Sequence, residues 1–134
     1  MRFFIVIALL FLMISSCEKQ PFDYRVKYLG NYDLSYIHEN RLGCIDSSYA
    51  GCEVITRGNV QAEITLSKSY HNKIFLKIDK ETFIPKLDKN GYFVEGSNYA
   101  GGIEGNIYEN GEIRIEKIYS KPYWFKNYVG KKVE

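Results

Sequence analysis

The alternation of apolar and polar residues at every second position is the feature that most limits what this chain can fold into. The runs from Val60 to Leu66 and from Ile74 to Ile78 each place apolar side chains on one face and mostly polar side chains on the other. Successive side chains of a strand point to opposite faces, whereas a helix repeats about every 3.6 residues, so this spacing predicts two half-buried strands. Residues 69–72 supply turn residues between them, and the two runs are predicted to form an antiparallel hairpin.

Two Asn-Gly pairs predict further hairpins, because Asn-Gly tolerates the positive φ angles of tight strand reversals. The flanking runs are residues 82–87 and 92–95 around Asn90-Gly91, and residues 103–108 and 112–119 around Asn110-Gly111. Pro85 has no N–H to give to a ladder, so its strand is expected to be an edge strand or to be bulged there. The alternation becomes ambiguous at residues 117–119, where a bulge or a switch of face is expected.

A first strand at residues 28–36 and a final aromatic strand at residues 123–129 bring the count to seven or eight. The predicted fold class is all-β, an antiparallel barrel or a two-sheet sandwich, because either buries one face of many short strands and limits free edges. Barrel closure predicts pairing between the strands near Tyr32 and Tyr123. Residues 22–29 could add a turn of helix across one end. A length of 134 residues fits one domain.

The N-terminus has the pattern of a secretory signal. Arg2 precedes an unbroken apolar run of 12 residues, residues 3–14. As a helix this run would reach about 18 Å, well short of the roughly 30 Å hydrocarbon core of a bilayer. The run is therefore interpreted as a cleaved signal rather than a membrane span.

The stretch Ile14-Ser15-Ser16-Cys17 resembles the lipobox of bacterial lipoproteins. The resemblance implies cleavage before Cys17, acylation of that cysteine with chains such as palmitate, and stable anchoring, which takes two or more acyl chains. It divides the chain into a signal peptide at residues 1–16, a lipidated cysteine with a short tether at residues 17–25, and a β-domain at residues 26–134. The implied location is a bacterial cell envelope, at the outer membrane, with the periplasmic or surface side undecided. An ordinary signal peptide with Cys17 as a free thiol is the alternative.

Assigning Cys17 to the lipid leaves Cys44 and Cys52 as an even pair, and a disulfide between them is predicted. The ring would span nine residues, and the chain-entropy model gives about 2.6 kcal/mol for its closure. The disulfide either trims a loop or rigidly presents Tyr49 at its tip. No metal is predicted, because His38 and His71 lack ligand spacing.

A second resemblance covers the ends of the predicted β-domain. The segments Tyr28-Leu29-Gly30-Asn31-Tyr32 and Tyr128-Val129-Gly130-Lys131-Lys132 are similar to those of small lipocalin-like lipoproteins of Bacteroidota-type bacteria. The resemblance implies a lipocalin-like β-domain. The chain departs from true lipocalins at Tyr32, where their Gly-x-Trp motif has tryptophan.

The sequence carries no nucleophile motif, phosphate loop or metal signature, so no catalytic residue, enzyme activity or cofactor is predicted. The formal charge of +2 and predicted export argue against nucleic acid as a partner. Residues 121–128 are the densest aromatic and basic segment, in which Trp124 is a candidate contact for carbohydrate or lipopolysaccharide, or simply part of a closing strand. Both histidines are expected to be exposed.

Binding without catalysis is therefore the expected function, through the membrane anchor and an unknown ligand. Tyr99, in the glycine-rich loop at residues 96–102, could share a contact surface with Tyr49 if both loops lie at one end of the barrel. Three kinds of partner stay open: a small apolar ligand held inside the barrel, an envelope protein, or a glycan. A protein partner would make the chain an inhibitor or accessory factor of an envelope hydrolase or of a glycan-uptake assembly.

Overall fold

The computed structural model describes residues 23–41, 53–97, 101–119 and 124–133. These residues form a short 3₁₀ helix followed by strands and turns, so the all-β prediction is confirmed. Nine strands replace the predicted seven or eight. The helix spans Tyr24–Tyr28, and the strands are β1 (Gly30–Asn40), β2 (Glu53–Leu66), β3 (Ile74–Ile78), β4 (Glu81–Phe83), β5 (Lys86–Leu87), β6 (Tyr92–Ser97), β7 (Gly101–Ile107), β8 (Glu112–Ile118) and β9 (Trp124–Lys132).

The nine strands form one curled antiparallel sheet rather than the two facing sheets of a sandwich. Their order is β4-β3-β2-β1-β9-β8-β7-β6-β5, so the first and last strands are neighbours. Tyr32 pairs with Lys132 and Asn40 pairs with Trp124 along that contact. The pairing that barrel closure predicted between these two strands is therefore confirmed.

Residues 81–87 connect the two edges of this sheet, because they form both of its edge strands, β4 and β5. Phe83 of β4 pairs with Leu76 of β3, and an isolated bridge between Lys73 and Lys86 continues the same register beyond the break at Pro85. The Leu87 N–H donates to the Asn72 carbonyl (2.8 Å), while β5 pairs with β6 on its other side. The predicted irregularity at Pro85 is confirmed, and it divides one strand into β4 and β5.

The three predicted hairpins are confirmed as β2–β3, β5–β6 and β7–β8. Gly91 in the β5–β6 turn and Gly111 in the β7–β8 turn have φ angles of 89° and 80°. These positive φ angles are the ones that the Asn-Gly pairs predicted. The first strand differs from expectation, because Tyr28 belongs to the helix and β1 runs from Gly30 to Asn40.

The expected bulge at residues 117–119 is wrong. The pairing of β8 with β9 runs without a shift through Ile118, and the buried positions Ile113, Ile115 and Lys117 alternate regularly. A lysine at an inward position made the pattern look interrupted. The register shift lies instead between His38 and Glu39, where β1 pairs with β2.

The 3₁₀ helix covers one end of the curled sheet, called here the helix end. Arg25, only 6% exposed, donates to the carbonyls of residues 67, 70 and 73, and Tyr24 donates to the Leu87 carbonyl (2.7 Å). The predicted turn of helix across one end is thus confirmed. Tyr24 and Arg25, assigned to the tether from the sequence, belong to this helix.

The opposite end is called the far end. Here β1, β6 and β8 end, and β2, β7 and β9 begin. Between the two ends, fifteen apolar side chains with at most 3% exposure fill the interior. They are Tyr28, Tyr32, Leu34, Ala62, Ile64, Ile74, Leu76, Ile78, Leu87, Phe93, Ile103, Ile107, Ile113, Ile115 and Tyr128.

Candidate functional site

The inward face of the far end carries aromatic rings and lysines instead of aliphatic side chains. Strand alternation explains this, because the buried Tyr128 and Ile115 fix which face of β9 and β8 points inward, and positions two residues away share that face. The aromatic–lysine cluster is defined here as Tyr36, His38, Lys117, Tyr119, Trp124 and Lys126.

The His38 ring contacts two other rings of the cluster. The His38 ring stacks on Tyr119, with centroids 5.2 Å apart and an interplanar angle of 26°, and meets the edge of Trp124 at 5.7 Å. Aromatic pairs at such distances add stability beyond the area that they bury. All three residues are half-buried, so each keeps part of its surface exposed to solvent.

Tyr36 is positioned by a glycine on the neighbouring strand. Gly58 pairs with Tyr36, and a Cβ atom at position 58 would lie 2.9 Å from the tyrosine hydroxyl oxygen. The absence of that atom lets the ring lie against β2. The Tyr36 ring is thereby held 5.9 Å from Tyr128 and beneath Lys126.

The two lysines of the cluster differ in their partners. Lys117 Nζ lies 2.6 Å from Glu81 Oε2, so its charge is neutralised across the interior. Lys126 Nζ lies 3.8 Å from the ring centroid of Tyr36 and 5.4 Å from that of Tyr128. No carboxylate of the described residues lies within 4.0 Å of Lys126 Nζ. The aromatic faces attract the ammonium group but carry no formal negative charge.

His38 carries a buried nitrogen without a protein partner. Its Nε2 atom has almost no solvent-accessible surface and forms no hydrogen bond. Burial lowers the pKa of His38 below its usual 6.5, and the positive charges of Lys126 and Lys117 lower it further. The imidazole is therefore neutral at physiological pH, with an unused polar atom that costs on the order of 1–3 kcal/mol.

An ionic network on the outer side of the sheet holds the same strand ends together. Arg41 contacts Glu39 at 2.8 Å and Glu116 at 2.9 Å, and its guanidinium lies 4.0 Å from the centroid of the Phe125 ring. Asn127 Nδ2 donates to Glu39 at 2.9 Å. These residues lie on or directly after β1, β8 and β9, which also carry most of the cluster. The network therefore holds the backbone of these strands in place next to the cluster.

A groove of about 1190 Å³ lies on the outer face of β1, β2 and β9. Its charged residues pair across strands, as Asp33 does with Lys131 and Glu63 does with Lys77. Opposite charges in such positions compensate each other, which is the arrangement of a solvated sheet face. Neither of the two buried side-chain atoms that lack a hydrogen bond among the described residues lies in this groove.

Of the residues that the sequence singled out, Trp124 lies in the cluster. Tyr49, Tyr99, Cys17, Cys44 and Cys52 lie outside the described residues, so their roles stay predictions. The strands that flank residues 42–52 and 98–100 end and begin at the far end, which is the condition that a shared surface of Tyr49 and Tyr99 required.

Sequence reasoning missed the five other members of the cluster, which are Tyr36, His38, Lys117, Tyr119 and Lys126. His38 is half-buried rather than exposed, whereas His71 is exposed as expected. A signal for His38 was present, because it follows Tyr36 by two positions and therefore shares the inward face of β1.

Within residues 23–41, 53–97, 101–119 and 124–133, no group of three or more His, Cys, Asp or Glu side chains is placed to hold a metal ion. None of the helical structure in these same ranges is long and apolar enough to cross a bilayer. Comparison with known proteins found no matching family model, no matching curated protein and no matching solved structure.

Proposed function

We propose that this chain is a lipid-anchored, non-catalytic binding protein of a bacterial envelope, and that it takes its ligand at the far end. The observation that carries the proposal is the aromatic–lysine cluster, which combines half-exposed rings, a buried unpaired nitrogen and an ammonium group that has no carboxylate partner among the described residues. Binding sites are enriched in such convergent aromatic and polar groups. The lipobox-like stretch ending at Cys17 supports the anchor.

The proposed domain is a closed, lipocalin-like barrel of eight strands. If residues 81–87 are counted as one strand, the nine strands become eight. The hydrogen bonds around Pro85 then connect the two edges of the sheet. Eight strands give an interior that side chains can fill or that holds one small ligand. The fifteen buried side chains occupy the interior between the ends, which favours a ligand at the far end over an apolar ligand held deep inside.

The anchor orients the molecule in this proposal. Asp23 precedes the helix at the helix end, and residues 18–22 would connect it to Cys17 over at most about 20 Å of extended chain. The helix end then faces the membrane, and the far end faces away from it. The cluster is thereby presented to soluble or surface-bound ligands.

A protein partner is the second candidate, supported by the shared position of the strand ends that flank Tyr49, Tyr99 and Trp124. Such a partner would make the chain an inhibitor or accessory factor of an envelope hydrolase or a glycan-uptake assembly. Tyr49→Ala and Tyr99→Ala would then weaken a protein complex without changing the thermal midpoint. Wild-type affinity in both variants would exclude this candidate.

Two measurements test the main proposal. Cells grown with radiolabelled palmitate should label the wild-type chain and not Cys17→Ser. The anchored protein is then captured from native envelopes, and mass spectrometry identifies the proteins and glycans that copurify. Trp124→Ala should lose a component that wild type retains, while Tyr108→Ala, an exposed aromatic in the β7–β8 turn at the helix end, should retain it. Equal recovery with both variants would contradict binding at the far end.

A further inference from the structure

Lys126 differs from Lys117 and Arg41, two other cations at the same end of the sheet, in the partners of its charge. Lys117 is paired with Glu81, and Arg41 with Glu39 and Glu116. Lys126 instead lies over two tyrosine rings, with no carboxylate of the described residues within ion-pairing distance. An ammonium group that is half-buried without a counter-charge attracts an anion from outside the chain.

His38 lies directly beside Lys126. The two residues are cross-strand partners in the pairing of β1 with β9, and side chains in such pairs leave the backbone about 5 Å apart. Buried polar groups in folded proteins are nearly always hydrogen-bonded, yet His38 Nε2 has no partner. A carboxylate that accepts from Lys126 would lie close to this imidazole, and its negative charge would favour the protonated ring.

The surrounding rings indicate what the anion is attached to. Tyr119 and Trp124 flank His38 at 5.2 and 5.7 Å between centroids, and both are partly exposed. Flat aromatic faces stack well against other rings, either those of sugars or those of aromatic acids. A ring that carries a carboxylate fits both parts of the site.

We propose that the far end binds a ring-bearing carboxylate, with Lys126 holding the carboxylate close to His38 and with Trp124 and Tyr119 against the ring. This inference rests on the proposed function and names the ligand class of that same site. Two sources share the chemistry, namely an acidic sugar of a glycan and an aromatic carboxylic acid, and the test separates them.

The site should bind more tightly in mild acid. His38 is faced by Lys126 and Trp124 from β9, by Lys117 and Tyr119 from β8 and its end, and by Thr56 from β2, while Glu81 of β4 neutralises Lys117. A bound carboxylate offsets the repulsion between the lysines and a protonated imidazole. By linkage, protonation of His38 and binding of the carboxylate then favour each other.

Trp124 provides the readout, because it is the only tryptophan of the chain and lies inside the proposed site. Its fluorescence is titrated with trigalacturonate and with its uncharged methyl ester, and separately with benzoate and with benzyl alcohol. Within each pair of ligands, both molecules contain the same kind of ring, and only the acid carries a negative charge. Lys126→Gln and His38→Gln are compared with Lys131→Gln, an exposed lysine on the outer face of the same strand. Lys126→Arg keeps the charge, and thermal unfolding confirms that each variant is folded.

One acid should bind about tenfold or more tightly than its uncharged analogue, as expected for one charge-assisted hydrogen bond. Lys126→Gln should lose about tenfold in affinity, Lys126→Arg should lose less, and Lys131→Gln should match wild type. Affinity should rise from about pH 7.5 to about pH 5.5 in wild type and not in His38→Gln. Binding of trigalacturonate would identify the ligand as an acidic sugar, and binding of benzoate would identify it as an aromatic carboxylic acid.

Equal binding of acid and analogue, equal behaviour of Lys126→Gln and Lys131→Gln, or no binding of either acid would each overturn the ligand class. The proposed function fails separately, if capture from native envelopes does not depend on Trp124. Capture that depends on Trp124 but is unchanged in Lys126→Gln would leave binding at the far end and remove the carboxylate.

Discussion

The two ends of the curled sheet differ in how their cations are paired, although each end leaves one buried side-chain atom without a hydrogen bond, Ser67 Oγ at the helix end and His38 Nε2 at the far end. Arg25 donates to the Asp23 carboxylate and to three main-chain carbonyls at the helix end. At the far end, His38 Nε2 has no partner, and Lys126 has no carboxylate beside it within the described part of the chain. Paired charges stabilise a fold, whereas a half-buried charge without a partner persists mainly where it serves binding. The pairing of the cations, rather than the unpaired neutral atoms, therefore assigns stability to the helix end and recognition to the far end.

Replacing Arg25 should give the largest loss of stability. Arg25→Met keeps most of the apolar stem but leaves three carbonyls and the Asp23 carboxylate without the guanidinium that donates to them. We expect the free energy of unfolding to fall by about 3 kcal/mol, measured by urea denaturation. Lys27→Met, in the same helix but exposed, should match wild type. Equal effects of the two substitutions would remove the structural role assigned to the helix end.

Reducing the predicted Cys44–Cys52 disulfide should give the next largest effect. In a Cys17→Ser background, reductant should lower the free energy of unfolding by about 2.6 kcal/mol, because the unfolded chain regains the entropy that the ring removes. A variant that also carries Cys44→Ser and Cys52→Ser should not respond to reductant. An identical response of the two proteins would show that this bridge is not formed.

A substitution at the far end should separate stability from binding. His38→Phe keeps a ring against Tyr119 and Trp124 and removes the unpaired nitrogen. We expect the free energy of unfolding to stay equal or to rise by up to about 1 kcal/mol, while binding at the far end weakens. Calorimetric unfolding and the tryptophan titration measure the two effects. A large loss of stability would mean that the nitrogen is structurally needed.

Acidification should affect the two ends at different pH values. The folded pKa of His38 is lowered by burial and by two lysines, so the unfolded chain binds its proton first and stability falls as pH drops below about 6.5. At the helix end, the hydrogen bond from Arg25 lowers the pKa of Asp23, and its contribution is lost only as pH falls below 3.8. Urea denaturation between about pH 7.5 and about pH 3 should show the upper step in wild type and not in His38→Phe. An unchanged upper step in the variant would assign it to another group.

The parts of the fold that depend on neighbouring residues could be predicted from the sequence. The Asn-Gly turns and the alternation of β2, β3 and β8 are local signals, and they placed three hairpins. The pairing of β1 with β9 followed from the need to limit free edges, because many short strands leave few other solutions.

The candidate site could be predicted only at Trp124, because its other members depend on distant parts of the chain. Lys117 can occupy an inward position because Glu81, from another strand, neutralises its charge. From the sequence alone this partner is not visible, so a lysine in the apolar alternation of β8 suggests a bulge. His38 is buried by Tyr119 and Trp124, which come from the opposite end of the sequence. Alternation identifies the face of a residue, but not which distant side chains meet it there.

Because the first and last strands are neighbours in the sheet, the chain could be joined there and opened at another loop without changing the sheet. The Val133 N–H donates to the Asn31 carbonyl at 2.8 Å, so the chain enters and leaves the sheet at adjacent points of the helix end. A short linker from residue 133 to residue 23, with new termini opened between β6 and β7, should give a circular permutant with the same sheet. In that permutant a lipid anchor at the new N-terminus would directly precede β7, which would turn the binding end towards the bilayer.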